Sequence, residues 1–163
     1  MSFYRGKHNA DTGACCRLAV KERRGRRSKR RSWKHYYELQ AKLKEIIEDV
    51  NFSVSAVIVE GKSDEEALRA AGLKSPVVRF SSSGMPVFAF IEDVVAGYRG
   101  CTVLVLVDFD REGDDLAERI SQELEEGGVR VQRMFRQEIV KLLAREGILR
   151  IEEMSTLRKR ASI

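Results

Sequence analysis

Short apolar runs and amphipathic stretches alternate along most of this chain. From Ser55 onward, each run rich in valine and isoleucine is followed by a stretch whose apolar positions recur every three or four residues. Runs of the first kind are typical of strands buried in a sheet, and stretches of the second kind are typical of helices that cover it. Because the connections are short, the pattern predicts an α/β fold, in which a parallel sheet of about four strands has right-handed crossovers and helices on both faces.

The boundaries of these elements follow from local signals. Strands are predicted at 56–60, 77–80, 102–107 and 129–131. Ser63 and Glu66 have the spacing of a capping box, so the first crossover helix is expected to start at Ser63 and to stop at Gly72. Later helices are predicted after Pro86, after the third strand as far as Gly127, and over 137–145.

Two flanking segments differ from this alternation. Apolar positions from Tyr36 to Val50 recur at helical spacing and predict a helix after Ser32, which is expected to cap it. The last segment is predicted to be helical over 148–157 and to fray in the basic residues 158–160. The predicted organisation is therefore a basic disordered arm (1–31), an N-terminal helix (32–50), an α/β domain (54–145) and a C-terminal helical tail (146–163).

Positive charge is concentrated at the start of the chain. Residues 1–35 contain 12 Lys and Arg against two acids, a net charge of +10, whereas residues 36–163 contain 18 against 23, a net charge of −5. Such an arm can bind nucleic-acid phosphates without sequence specificity, and it can equally be a solvated tail.

Composition excludes several classes of protein. No apolar stretch approaches the roughly 18 residues of a membrane span, and no secretory signal is present, so we expect a cytoplasmic protein without a membrane partner. Cys15, Cys16 and Cys101 lack the spacing of a zinc site and suggest no disulfide. Cys101 is expected to be a buried thiol at the start of a strand.

Acidic residues follow the third predicted strand at once. Asp108, Asp110 and Glu112 come directly after the apolar run 102–107. Ligands bind open α/β sheets at the carboxyl ends of the strands, and carboxylates crowded there repel one another unless a cation neutralises them. Mg²⁺, a hard cation with a preference for oxygen ligands, fits this position, and Mn²⁺ is an alternative.

The first predicted strand ends in a second short motif, Glu60-Gly61-Lys62. In a parallel sheet both strand ends lie on the same edge, so Glu60 can meet Asp108 and Asp110 if the two strands are neighbours. Gly61 is expected to allow a sharp turn and to leave room for a ligand, and Gly113 is expected to do the same at a helix start that favours an anion.

Taken together, the two motifs in this order resemble the Toprim domain over roughly residues 54–145. That domain is found in type IA and type II topoisomerases, bacterial-type primases, OLD-family nucleases and ribosomal-RNA maturation nucleases. The run 108–113 is most similar to the type IA topoisomerase version. The segment 59–64 is closer to the rRNA-maturation nucleases and to small stand-alone Toprim proteins, which also have a Gly-containing turn where this chain has Ser83-Gly84.

The resemblance implies specific roles for these residues. Glu60 would be the general acid or base at a scissile phosphate and would lie at the metal, which Asp108 and Asp110 bind, with Glu112 as a further acid of the topoisomerase pattern. The groups expected near the phosphates are Lys62, Arg111, Gly61, Gly113 and Gly84. Solvent exposure of Lys62, a helix-dipole role for Glu112 and a capping role for the Ser81–Gly84 loop stay open as alternatives.

Two functions are compatible with this sequence. One is Mg²⁺-dependent cleavage of phosphodiester bonds or phosphoryl transfer on RNA or DNA, for which the intact set Glu60, Asp108 and Asp110 speaks. The other is a non-catalytic, metal-assisted adaptor that binds nucleic acid or a ribonucleoprotein, which the lack of a substrate-recognition domain favours. Haloacid-dehalogenase-like phosphatases and response-regulator receivers fit poorly, because both need their acidic pair on the first strand.

Overall fold

The computed structural model describes residues 32–81 and 84–161, and over these residues it contains six α-helices and four strands. The predicted basic arm, Ser82, Ser83 and the last two residues lie outside the described part. In chain order the elements are α1 (Trp33–Ser53), β1 (Ala56–Val59), α2 (Lys62–Ala71), β2 (Val77–Arg79), α3 (Val87–Tyr98), β3 (Thr102–Val105), α4 (Arg111–Glu126), β4 (Arg130–Val131), α5 (Met134–Ala144), a short 3-10 helix (Glu152–Met154) and α6 (Ser155–Ala161).

The strands form one parallel sheet in the order β2-β1-β3-β4. At the centre, Ile58 of β1 pairs with Val78 of β2 on one side and with Val105 of β3 on the other. The predicted fold class, an α/β fold with a four-stranded parallel sheet and an N-terminal helix, is thereby confirmed.

Alternate residues of the central strands are buried on opposite faces of the sheet, as the two-residue period of a strand requires. Val57 and Val59 of β1 point into a core that also contains side chains of α1, α2, α5 and α6. Ala56 and Ile58 point into a second core, which α3 and α4 cover. The apolar runs are continuous because both faces are covered.

Helix α2 begins earlier than its sequence predicts. Gly61 is the N-cap residue, and the Asp64 carboxylate accepts a hydrogen bond from the Gly61 N–H at 2.9 Å. The prediction of Ser63 as the cap is therefore wrong. A carboxylate three residues after Gly61 satisfies the backbone at this end, so the helix can start immediately after the strand.

The C-terminal segment is less helical than predicted. Residues 148–151 form a non-helical connection, and only Glu152–Met154 and Ser155–Ala161 are helical. The predicted fraying of the basic residues 158–160 is also wrong, because they belong to α6. Leu157 of that helix is buried in the core shared with α1, and the Arg160 guanidinium lies 5.5 Å from the centre of the Tyr36 ring, a cation–π distance.

Two smaller predictions about single residues also change. Cys101 is half-buried rather than buried, because it lies in the bend before β3 begins. Ser32 occupies the N-cap position of α1, but its side chain makes no capping hydrogen bond.

Helix α1 buries one side and leaves the other to solvent. Its buried stripe includes Leu43, Ile47 and Val50, whereas Trp33 and Tyr37 are exposed. Among the helices of the described residues, none has the length and apolar character needed to cross a membrane.

Candidate functional site

The candidate site lies where β1 and β3 end side by side. Their parallel pairing continues one step past β3, because the Leu106 N–H donates to the Ile58 carbonyl at 2.8 Å. Glu60 leaves the sheet directly after β1, and Asp108 leaves it two residues after Leu106. The sequence required these two strands to be neighbours for the acids to meet, and the structure places them so.

Glu60 lies in an electrostatic environment that disfavours its charged form. The residue is exposed, but partial desolvation of its carboxylate, followed by the negative charges of Asp108, Asp64 and Asp110, raises its pKa. Arg150 acts in the opposite direction and lowers the pKa of Glu60. Three carboxylates and one guanidinium are therefore close enough to Glu60 to influence its ionisation.

Asp64 is a member of this group that the sequence-based site did not include. It is only 8% exposed, in the first turn of α2. Burial is the main cause of its raised pKa, and the charges of Asp108 and Glu152 raise it further, while the Gly61 N–H opposes them. The sequence contains a signal for Asp64, since it lies two residues after Lys62, within the segment 59–64 that resembles small Toprim proteins.

Asp110 has a structural task in addition to its predicted one. It is the N-cap of α4, where its Oδ1 accepts a hydrogen bond from the Gly113 N–H at 2.8 Å. Gly113 is required here for space, because a Cβ at this position would overlap the Asp108 carbonyl oxygen. The turn from β3 into α4 therefore fixes the backbone that carries both aspartates.

Arg136 of α5 stabilises the same turn, residues 107–110, which we call the acidic turn. Its guanidinium donates to the carbonyl oxygens of Val107 and Asp108 and to the Asp114 carboxylate, the last at 2.7 Å. It also lies 5.3 Å from the centre of the Phe109 ring. With only 12% of its side chain exposed, Arg136 is a largely buried cation that holds the acidic turn in place. Nothing in the sequence pattern pairs it with residues nearly thirty positions earlier.

The C-terminal connection closes another side of the site. The Phe109 N–H donates to the Leu149 carbonyl at 2.7 Å, and the Ile151 N–H donates to Asp108 Oδ1 at 3.1 Å. These two hydrogen bonds bring residues 149–151 to the strand end, outside the region that resembles a known domain. The sequence predicts a helix over these residues and therefore does not predict these two hydrogen bonds.

The remaining predicted site residues make none of the hydrogen bonds or ion pairs described above for Glu60, Asp64, Asp108 and Asp110. Lys62 is exposed and pairs with Glu66 at 3.5 Å within α2. Arg111 and Glu112 are exposed in the first turn of α4. Gly84 has a φ of +62°, a value that favours glycine. It lies in the loop between β2 and α3, of which Ser82 and Ser83 are outside the described residues.

Gly61 has an extended backbone, with a φ of −143°, so the predicted need for a special turn there is wrong. A Cβ at this position would meet Ser81 Oγ at 3.4 Å, an ordinary contact distance. The structure gives no conformational reason for glycine at this position.

The donor chemistry of the site suits a hard divalent cation. Glu60 and the acids that influence its ionisation, Asp64, Asp108 and Asp110, are all carboxylates, the ligands that Mg²⁺ prefers, and Arg150 offsets part of their charge. Within 32–81 and 84–161, however, no group of three or more His, Cys, Asp or Glu residues converges on one ion position.

The known proteins to which this chain is similar in sequence include several UPF0292 proteins. The chain is 31% identical over 128 residues to a UPF0292 protein of Pyrococcus horikoshii, which covers 78% of this chain and 92% of that protein. It is 35% identical over 119 residues to a UPF0292 protein of Thermococcus gammatolerans, and 33% identical over 121 residues to one of Methanocaldococcus jannaschii, with 85% and 89% of those proteins covered. No protein-family model matches the sequence.

Among solved structures, a protein of Aquifex aeolicus superposes with a TM-score of 0.51 at 26% identity. The match covers 72% of this chain and 95% of that protein. It agrees with the compact α/β fold described above.

Proposed function

The chain belongs to the UPF0292 family. From the arrangement of its acidic residues we propose that it is a Toprim-like protein with Mg²⁺-dependent phosphodiester cleavage or phosphoryl transfer on RNA or DNA. One observation carries the proposal. Neighbouring parallel strands β1 and β3 end at the same edge, where the charges of Asp108 and Asp110 raise the pKa of Glu60.

Asp108 and Asp110 are the residues that would hold Mg²⁺, with Glu60 and Asp64 beside them. Bound Mg²⁺ supplies neutralisation of phosphate charge in the transition state of an in-line displacement. The protein's own contribution is to fix, through Arg136 and the Gly113 N–H, the backbone of the turn 107–110 that carries the two aspartates.

Glu60 is the candidate for proton transfer. A general acid or base works best when its pKa lies near the working pH, and both burial and the neighbouring acids shift Glu60 in that direction. Lys62 and Arg111, exposed at the N-termini of α2 and α4, support the proposal as cations that phosphates can reach.

The alternative is a non-catalytic adaptor that binds nucleic acid or a ribonucleoprotein with the help of a metal. One observation favours it: across the described residues no three acidic side chains converge on one ion position, and bridging a cation to phosphate demands a less exact ligand geometry than catalysis does. In that case the acidic edge would bind a cation that bridges to phosphate, and no bond would be cleaved.

Cleavage of labelled RNA and DNA in Mg²⁺, in Mn²⁺ and in EDTA separates the two functions. We expect metal-dependent cleavage by the wild type and a loss of about 10²-fold or more in Asp108→Asn and in Glu60→Gln, the size of a lost acid–base or metal role. Asp49→Asn and Glu92→Gln make the same charge changes at exposed positions of α1 and α3, and they should cleave at the wild-type rate.

A wild type that binds oligonucleotide in Mg²⁺ without cleaving it would establish the adaptor. Cleavage that persists in EDTA, or that is unchanged in both site variants, would contradict the proposed metal-dependent mechanism.

A further inference from the structure

Arg150 is held between two backbone contacts to the acidic turn. The carbonyl of the residue before it, Leu149, accepts a hydrogen bond from the Phe109 N–H at 2.7 Å. The residue after it, Ile151, donates its N–H to Asp108 Oδ1 at 3.1 Å. Arg150 is therefore attached at the strand end by its neighbours on both sides, although its position in the chain is some forty residues away.

The connection that carries Arg150 is anchored in the core. Ile148 and Ile151 are 4% and 0% exposed and belong to the core that α1, α2, α5 and α6 share. The Arg150 side chain itself is 61% exposed. Its backbone is thus fixed on the buried side, whereas its guanidinium extends into solvent at the mouth of the site.

The charge of Arg150 differs from that of its surroundings. Its Nη1 lies 3.7 Å from Glu152 Oε1, which is beyond hydrogen-bond length. The hydrogen bonds of Leu149 and Ile151 bring the positively charged Arg150 to a strand end that carries Glu60, Asp108 and Asp110. A guanidinium with donors available and with its base fixed is suited to bind a phosphate oxygen pair.

We propose that Arg150 binds the phosphodiester group of the nucleic-acid substrate at this site. Leu149 and Ile151 hold it beside Asp108, where a metal-bound phosphate would lie. This inference rests on the proposed function and deepens it, because it assigns substrate recognition to the C-terminal connection. Arg150 would be a substrate-binding residue, and it would compete with cations for the same carboxylates while no phosphate is present.

Two affinities measured on one set of full-length variants test this role. In a Glu60→Gln background, which suppresses cleavage, a labelled single-stranded RNA is titrated by fluorescence anisotropy in Mg²⁺ at several salt concentrations. Arg150→Met is compared with Arg119→Met on α4. The Arg119 side chain is 62% exposed, so the exposure matches, and it is hydrogen-bonded to Glu123 at 3.0 Å, away from the site. Mg²⁺ binding without RNA is measured by calorimetry on the same Arg150 and Arg119 variants with Glu60 intact, since no substrate is present to be cleaved.

For Arg150→Met we expect RNA affinity to fall about tenfold and the salt slope to decrease by about 0.7, the loss of one phosphate contact. Its Mg²⁺ affinity should stay equal or rise, because a competing cation is gone. Arg150→Lys should lie between Met and the parent, because it keeps the charge but not the paired donors. Arg119→Met should match the parent in both measurements.

Other results would overturn the inference. Unchanged RNA affinity in Arg150→Met would show that the residue does not contact phosphate. A parallel loss of RNA and Mg²⁺ affinity would show that it only supports the fold of the site. In both cases the proposed function would stand, whereas a parent protein that binds neither Mg²⁺ nor RNA would overturn the proposed function together with this inference.

Discussion

Asp64 is a buried carboxylate in the first turn of α2, next to other acids. It is 8% exposed and accepts a hydrogen bond from the Gly61 N–H, which stabilises the start of the helix. Burial and the charge of Asp108 nevertheless raise its pKa above the ordinary value for aspartate. At neutral pH this one residue therefore combines a favourable hydrogen bond with an unfavourable charge.

Stability of the apo protein should depend on the protonation of Asp64. Because the pKa is higher in the folded chain than in the unfolded chain, the folded state binds the proton more tightly. The resulting stabilisation is full below the unfolded pKa, and it is lost as the pH rises through the folded pKa. Asp64→Asn, whose amide oxygen can still accept from Gly61, should melt at a higher temperature than the wild type at pH 7.

Thermal unfolding in EDTA at pH 7 and near pH 3.5 measures this effect. The difference between Asp64→Asn and the wild type should shrink at the lower pH, where the wild-type carboxyl is protonated. Asp49→Asn on the exposed side of α1 should show no such change. If Asp64→Asn melted lower than the wild type at neutral pH, the carboxylate would be a net stabilising group.

At the scale of elements, the site depends on how α5 is attached to the end of β3. Arg136 spans two backbone carbonyls and the Asp114 side chain, with its guanidinium beside the Phe109 ring. The carbonyls of Val107 and Asp108 lie beyond the last ladder residue of β3, so the sheet does not satisfy them. A helix that follows later in the chain thus supplies the donors that this strand end needs.

Removal of this guanidinium should destabilise the protein and loosen the site. Arg136→Met should lower the free energy of unfolding by about 2 kcal/mol or more, because hydrogen bonds to a charged donor are lost and two carbonyls lose their partner. Urea unfolding measures the stability, and Mg²⁺ calorimetry should show weaker binding. Arg136→Lys should retain part of both.

Arg119→Met removes an exposed ion pair on α4 and serves as the control, with an expected change below about 1 kcal/mol. An effect of Arg136→Met no larger than that of the control would mean that the turn keeps its shape without the guanidinium.

At the scale of the whole molecule, the first 35 residues and the rest of the chain have opposite net charge. The first 35 residues have a net charge of +10, whereas the remaining 128 have a net charge of −5. Residues 31–163 form one compact unit, and the described part of that unit contains the sheet and both cores. Under the proposed function, long-range attraction to nucleic acid would reside mainly in residues 1–35, and the acidic strand end would need a cation before phosphate could approach.

Deletion of residues 1–31 should leave the fold intact and weaken nucleic-acid binding. We expect an unchanged circular dichroism spectrum, a lower affinity for RNA and DNA, and a flatter dependence of log affinity on log salt. The reason is that residues 1–31 have a net charge of +9, whereas the rest of the chain has a net charge of −4. Anisotropy titrations of the full-length and shortened proteins over a range of salt concentrations measure this. An unchanged salt slope would reject the arm as a phosphate-binding element.

Local patterns determined much of this protein. The alternation of buried runs and amphipathic stretches predicted the parallel sheet, because burial on both faces leaves its mark on consecutive residues. The same patterns failed where a distant partner decides the outcome. Residues 148–157 have helical composition, but the backbone at 149–151 bonds to the acidic turn instead, and Gly61 rather than Ser63 caps α2 because Asp64 is available.

The sequence by itself supplied the chemistry of the candidate site, since Glu60, Asp108 and Asp110 follow apolar strands that local pattern identifies. Only the tertiary structure decided which groups surround them. It placed β1 beside β3 and buried Asp64 next to them. It also brought in Arg136 by a contact that spans 28 residues of chain, and Arg150 by the contact of its neighbour Ile151, which spans 43. The physical reason is that the burial pattern of a strand or helix depends on residues that are close in sequence. The electrostatic and hydrogen-bonding partners of a site depend instead on distances between residues far apart in sequence, which only the folded chain determines.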